Sequence, residues 1–283
     1  MARSDPRNRS DYWWDRHMTG LSLLRADFTT HAYPPHSHEA FVVAVTEAGG
    51  SVIRSRGVEE EAHRSELFVF NPAEPHEGWM GRSERWLYRS LYLTRDAIAA
   101  LETALGVEAL PYFLTNKLAD PDLIEAFLAL HRALEQGRDP FRERELLVGS
   151  FGVLFGRHGS GGGRIPPAPA DRTRLARATA LMHGRHGEAL RLEEVAAEAN
   201  LTVFQLIGLF KRTTGLTPHA FLTQVRLNAV CRLLRGDTPL AEVAAATGFY
   251  DQSAMTRHFK RCYGMTPRQF ALAAQEGRAV MAS

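Results

Sequence analysis

The feature that most constrains this chain is an internal duplication near its C-terminal end. The run Phe210-Lys211-Arg212-Thr213-Thr214-Gly215-Leu216-Thr217-Pro218 returns as Phe259-Lys260-Arg261-Cys262-Tyr263-Gly264-Met265-Thr266-Pro267, an offset of 49 residues. Upstream, Leu192, Glu194, Val195, Ala196 and Ala197 return as Leu240, Glu242, Val243, Ala244 and Ala245, an offset of 48. One residue is therefore gained between the two blocks. Two copies are too few for a solenoid, which needs at least three units to bury a continuous core. The chain must fold this region as a pair of like units.

Each copy is patterned as helix, tight turn, helix. In the second, Pro239 suits a first helical turn. LAEVAAATG then gives a short helix whose small side chains, Ala244 and Ala245, let a second helix approach closely. Gly248 suits the left-handed residue that ends such a helix, and Asp251 can cap the next. That helix, Gln252–Tyr263, sets Met255 and Phe259 on one face for the core and leaves Gln252, Thr256 and Arg257 elsewhere; Gly264 ends it. A long helix over His219–Arg235 would separate the units by about 25 Å at 1.5 Å per residue. That is the order needed to set two helices one DNA turn, about 34 Å, apart. The pattern is a pair of helix-turn-helix units, and charge agrees with it. Residues 171–283 carry 15 Lys+Arg against 9 Asp+Glu, whereas residues 1–170 carry 19 against 23, so the basic excess lies with the duplication.

Upstream the patterning changes. Short apolar runs over 21–94 (LSLL, AFVVAV, SVI, LFVF, WLYRSLYL) alternate with Gly, Pro and charged turns, as in a small barrel or sandwich. Residues 95–106 and 120–157 read as helical, with Leu123, Phe127, Leu130 and Leu134 forming one stripe. HGSGGGRIPPAPAD, 158–171, reads as a flexible linker. The fold expected is multidomain α+β: residues 1–157 with a β-barrel, then the linker, then an all-α domain over 172–283. The two cysteines, Cys231 and Cys262, make neither a disulfide framework nor a zinc ribbon. The polar N-terminus lacks a signal-peptide core, and no stretch reaches the roughly 18 apolar residues of a membrane span. A cytoplasmic protein is expected.

Residues 175–273, through Gly248-Phe249-Tyr250-Asp251-Gln252-Ser253 and the run from Phe259 to Pro267, resemble the DNA-binding domain of the AraC/XylS family of bacterial transcription regulators. PHSHEAF and FNPAEPHEG more loosely resemble the two strand-turn segments of that family's cupin-type sensor barrel, and 120–157 its dimerisation segment. The resemblance implies a DNA-binding regulator, not an enzyme, with no cofactor. Its implied partners are double-stranded DNA, a small-molecule effector, RNA polymerase and a second copy of the chain. The stripe over Leu123–Leu134 is then the expected dimer seam.

Candidate DNA-contacting residues are Gln252, Ser253, Thr256, Arg257, Lys260 and Arg261 in the second unit, and Phe204, Ile207, Gly208, Lys211 and Arg212 in the first. Aligning the repeats pairs Arg257 with Gly208, Thr256 with Ile207, Ser253 with Phe204 and Gln252 with Val203. Arg can bond guanine O6 and N7, and Gln can read adenine; the first unit offers only apolar contact, for instance to thymine methyls. Candidate effector contacts are His31, His36, His38, His76, Trp79, Trp86 and Tyr88. The histidine spacing also suits three imidazoles around a metal. Metal-binding cupins add a carboxylate four or five residues after the second His, where this chain has Val42 and Val43, so no metal is expected. Three readings of the histidines stay open: hydrogen bonding at the barrel rim, an organic ligand, or a metal. The competing functions are a metal-dependent cupin enzyme with a DNA-binding appendage and a DNA-repair protein. The missing carboxylate counts against the first, and the lack of a four-cysteine site or a suitably placed reactive cysteine against the second.

Overall fold

The computed structural model describes residues 7–160, 171–234, 236, 238–263 and 266–272. The side chains of Pro34, Arg261 and Tyr263 lie outside the description, as do Gly264 and most of the expected linker. The chain divides into two compact units, Met1–Pro166 and Pro167–Ser283.

The first unit runs β1 (Arg9–Trp14), β2 (Leu21–Phe28), β3 (Ala32–His36), β4 (Phe41–Ser55), β5 (Val58–His63), β6 (Leu67–Phe70), β7 (His76–Trp79), β8 (Trp86–Leu93), α1 (Arg95–Leu105), β9 (Lys117–Leu118), α2 (Pro121–Gln136) and α3 (Pro140–His158). Its described pairings are antiparallel, with one path β1-β2-β8-β4-β6-β9. AFVVAV and SVI, read as separate strands, are the two halves of β4. Its first half lies between β8 and β6; after a register shift between Thr46 and Ala48 it pairs with β5 and β7, and β3 pairs outside β7. A bulge of this kind bends a strand, so β4 belongs to two sheets and a cavity opens between them. Gly49 makes the bend possible. Its φ is 69°, and a Cβ there would sit 1.7 Å from the Arg85 carbonyl oxygen. The polar run Arg9–Trp14 is a strand: β1 pairs with β2 from Arg9↔Asp27 to Trp14↔Ser22.

The helical stretch 120–157 is two helices. Each begins with an Asp-Pro pair: Asp120 accepts from the Leu123 N–H at 3.2 Å and Asp139 from the Arg142 N–H at 3.0 Å, with proline at the first helical position, where no N–H is needed. Gly137, left-handed at φ 58°, ends α2. Leu123, Phe127, Leu130 and Leu134 are all buried within the single chain, and Phe127 meets Phe151 edge-on at 5.0 Å. The expected dimer seam is thereby corrected. The stripe is core, covered by its own unit, because α3 folds back onto it.

A buried polar cluster fastens α2 to the sheet. Arg89 donates to Glu47 at 2.8 Å, to Glu135 at 2.6 Å and to His131 Nδ1 at 2.9 Å, while His131 Nε2 donates to the Leu24 carbonyl at 3.1 Å. Burial, and then the Arg89 charge, bring the His131 pKa down to about 4, so the ring is neutral.

The second unit runs α4 (Arg172–Gly184), α5 (Leu192–Glu198), α6 (Val203–Thr214), α7 (Pro218–Leu233), α8 (Leu240–Ala246) and α9 (Gln252–Tyr263). Two helix-turn-helix pairs, α5–α6 and α8–α9, flank α7, which is about 24 Å long at 1.5 Å per residue.

Candidate nucleic-acid interface and ligand cavity

The duplication in sequence is a duplication in geometry. After α5 the chain turns through Asn200 at φ 52°, and after α8 through Gly248 at φ 76°; these positions are 48 apart, and Asn is the side chain that best tolerates that conformation after Gly. The next helix is capped by Thr202 in one copy and Asp251 in the other, 49 apart. Thr202 and Gln205 form a reciprocal capping box, and Asp251 accepts from the Ala254 N–H. The extra residue therefore lies in the second turn, beside Phe249 and Tyr250. The Thr-Pro pair closing each repeated run is a helix start: Thr217 caps at Ala220 and Thr266 at Gln269. Phe210 packs on Phe221 at 5.4 Å and Phe259 on Phe270 at 5.6 Å, both edge-on and again 49 apart. The sequence reading missed this aromatic pairing, although Phe221 and Phe270 could have been found by extending the alignment.

In the second copy Met255 and Phe259 are fully buried against Leu227, Val230, Leu234, Val243 and Ala244. The rest of α9 faces out: Gln252, Ser253, Arg257 and Lys260 are exposed and Thr256 is half-buried. The helix has no acidic residue. In the first copy Lys211 and Arg212 are exposed and Phe204 and Gly208 half-buried, but Val203 and Ile207 are each only 4% exposed. The expectation that Ile207 meets DNA is corrected: a side chain at that exposure has no surface to give a thymine methyl. With Leu206, Leu209 and Phe210 also buried, α6 turns a wider apolar face inward than α9 does.

The first unit holds a cavity of about 130 Å³ between the two halves of the bent sheet. His36, His38, His76, Trp86 and Tyr88 line it; His31 and Trp79 do not. His31 instead lies 4.2 Å from the Phe28 ring, and Trp79 carries the Arg54 guanidinium at 5.3 Å. His31 precedes β3 and packs on the Phe28 and Tyr33 rings, and Trp79 closes β7 beneath Arg54. The sequence reading also missed Tyr33 and Tyr92, whose places in the wall follow from pairings no local pattern reveals. The Tyr33 and Tyr88 hydroxyls are 2.7 Å apart, and burial raises both phenol pKa values. The Trp86 indole N–H is buried without a partner among the described residues, leaving a donor in a wall residue unsatisfied. Apolar walls with a few convergent polar groups characterise small-molecule pockets.

His76 is held from behind. Its Nδ1 donates to the Glu74 carbonyl at 2.9 Å, and its ring stacks on Phe70 at 4.0 Å. The Glu74 carboxylate is buried; burial raises its pKa, but hydrogen bonds from Arg56, Asn116, Asn71 and Ser55 outweigh that and hold the group charged.

Comparison with known proteins agrees with both halves. Residues 195–273 match a helix-turn-helix domain family and residues 19–149 an AraC-like ligand-binding domain family. The HTH-type transcriptional regulator YbfI of Bacillus subtilis strain 168 is 25% identical over 224 residues, covering 79% of this chain and 81% of YbfI. The Msm operon regulatory protein of Streptococcus mutans is 30% identical over 91 residues, 32% of this chain and 33% of that protein. Among solved structures, ToxT of Vibrio cholerae aligns over 91% of this chain and 97% of its own, with 12% identity and a TM-score of 0.40. A sheet-rich unit around a cavity and a helical unit bearing two helix-turn-helix pairs define a ligand-binding transcription regulator. The chain belongs to the AraC family.

Proposed function

We propose that α9 is the principal base-reading helix and that a small molecule in the barrel cavity controls DNA binding. In this reading Gln252, Ser253, Thr256 and Arg257 face the major groove, Lys260 and Arg261 meet phosphates, and α6 contributes chiefly Lys211 and Arg212 to the backbone with Phe204 and Gly208 close by. Residues 1–157 sense the effector and dimerise, 158–171 link, and 172–283 bind DNA. The protein works as a homodimer in the cytoplasm alongside RNA polymerase, and as a regulator rather than an enzyme. Among the described residues no helix is long and apolar enough to cross a membrane.

The observation that carries the reading is the exposed polar face of α9 set over a fully buried Met255–Phe259 face. A binding-site selection with the full chain on a random duplex pool tests it. A selected motif with one well-defined half and one degenerate half is expected. Recovery of no motif, or of two halves equally defined, would overturn it.

A further inference from the structure

The sequence sets His36, His38 and His76 at a spacing that suits a metal, and the fold brings them together. His36 and His76 are cross-strand partners on β3 and β7. His38 lies two residues past His36, just beyond the end of β3, and also lines the cavity. The ring centroids are 4.8 Å apart for His36–His38, 4.5 Å for His36–His76 and 5.3 Å for His38–His76. One nitrogen from each ring lies within 4.8 Å of the other two. Zinc–nitrogen bonds of about 2.0–2.1 Å at tetrahedral angles would put three ring centroids about 5 Å apart, which is the spacing of these rings.

One further observation points the same way. His76 gives its Nδ1 proton to the Glu74 carbonyl, which leaves its Nε2 lone pair as the donor. A ligating histidine is commonly oriented by such an outer bond, and here that bond rests on the Glu74 network described above. Val42, where the carboxylate of a metal-binding cupin is wanted, lines the cavity as an apolar group, and Glu77 in the same wall is engaged by Arg54 at 2.6 Å. Among the described residues no fourth His, Cys, Asp or Glu joins the three.

We propose that His36, His38 and His76 bind one zinc-class divalent ion in the cavity wall, and that its open coordination position takes the anionic oxygen of a small apolar effector. Three neutral ligands leave the ion its full charge in an apolar cavity, and a fourth, anionic ligand would balance it. A three-histidine site with an open position is an established zinc arrangement. The volume is close to the roughly 150 Å³ of an apolar cavity that accepts benzene, which limits the effector to about one ring or a short branched chain bearing a carboxylate or phenolate. The second half of this proposal rests on the effector reading above; the first does not.

The test uses the full chain, stripped with a chelator and titrated with cobalt(II), then competed with zinc. Visible absorption saturating at one equivalent is expected. His38→Gln and His76→Gln should each weaken binding by more than about 100-fold, the upper end of what outer-shell losses cost. His63→Gln, on an exposed histidine outside the cavity, should bind as wild type. Unchanged tryptophan fluorescence shows that the barrel variants fold, and if both unfold, His36→Gln takes their place. Benzoate should shift the cobalt bands. No stoichiometric binding, or equal binding by the cavity variants and wild type, would overturn the metal site. A normally bound metal whose bands ignore benzoate would overturn the open anion position. Neither result touches the DNA reading, which binding-site selection tests separately.

Discussion

His131 makes the stability of the first unit depend on pH in a way that can be worked out. Its ring is 2% exposed and its pKa is brought from 6.5 to about 4 by burial and then by Arg89. Unfolding releases the ring to water, where it takes up a proton below 6.5. The unfolded chain therefore binds more protons between pH 6.5 and 4, and stability falls as pH falls through that window. A tenfold difference in proton affinity between the folded and unfolded chain is worth about 1.4 kcal/mol, so about 2 to 3 kcal/mol should be lost between pH 7 and 4.5. For a unit of this size that is a fall in Tm of about 5 to 10 °C. All four tryptophans, Trp13, Trp14, Trp79 and Trp86, lie in the first unit, so indole fluorescence in the intact chain follows that unit alone. His131→Gln keeps an acceptor for Arg89 and a donor for Leu24 but cannot titrate. Its melting temperature should fall less over the same range, by about the amount just given. Parallel wild-type and variant curves would refute the reasoning.

Other outcomes follow from the second unit. Arg257→Ala should cost about 1–3 kcal/mol of specific binding and relax preference at one base pair, read by equilibrium binding to the selected site and its single-base variants. Ile207→Ala should instead lower stability by about 2–5 kcal/mol and leave base preference unchanged, read by chemical denaturation followed by circular dichroism. Lys260→Ala should weaken binding to all sequences alike and reduce the slope of log affinity against log salt by about 1, read by titrations across a salt series. Gly248→Ala should destabilise the second unit, because φ there is 76° and a Cβ would lie 2.4 Å from the His186 carbonyl oxygen. Melts showing no loss would mean that the turn can relax.

The helical unit was legible because its information is local. Thr-Pro starts, the Gly248 turn and apolar residues four apart specify helices without reference to distant chain, and the repeat supplies an internal check. The barrel was less so. β1 reads RSDYWW and β5 reads VEEEAH, sequences with little apolar alternation, because β1 is an edge strand and only Ala62 of β5 is buried. Neither is specified by its own residues; each is set by a partner far along the chain. The stripe on α2 illustrates a different limit. Periodicity shows that Leu123, Phe127, Leu130 and Leu134 need cover, but only the fold shows that Phe151 and its neighbours provide it. The same holds for Ile207, where alignment gave the position on the helix and burial gave its role. The cavity histidines were found by spacing, while their separation from His31 depended on packing: His31 stacks against Phe28 outside the cavity wall.

The unlikeness of α6 and α9 gives the chain a front and a back. A protein with two equivalent reading helices would read two like half-sites equally well. If α9 discriminates and α6 mainly grips, as proposed above, the bound site is a vector: it has a head that tolerates little change and a tail that tolerates much. On that reading the arrangement of a promoter around such a site carries an orientation as well as a sequence.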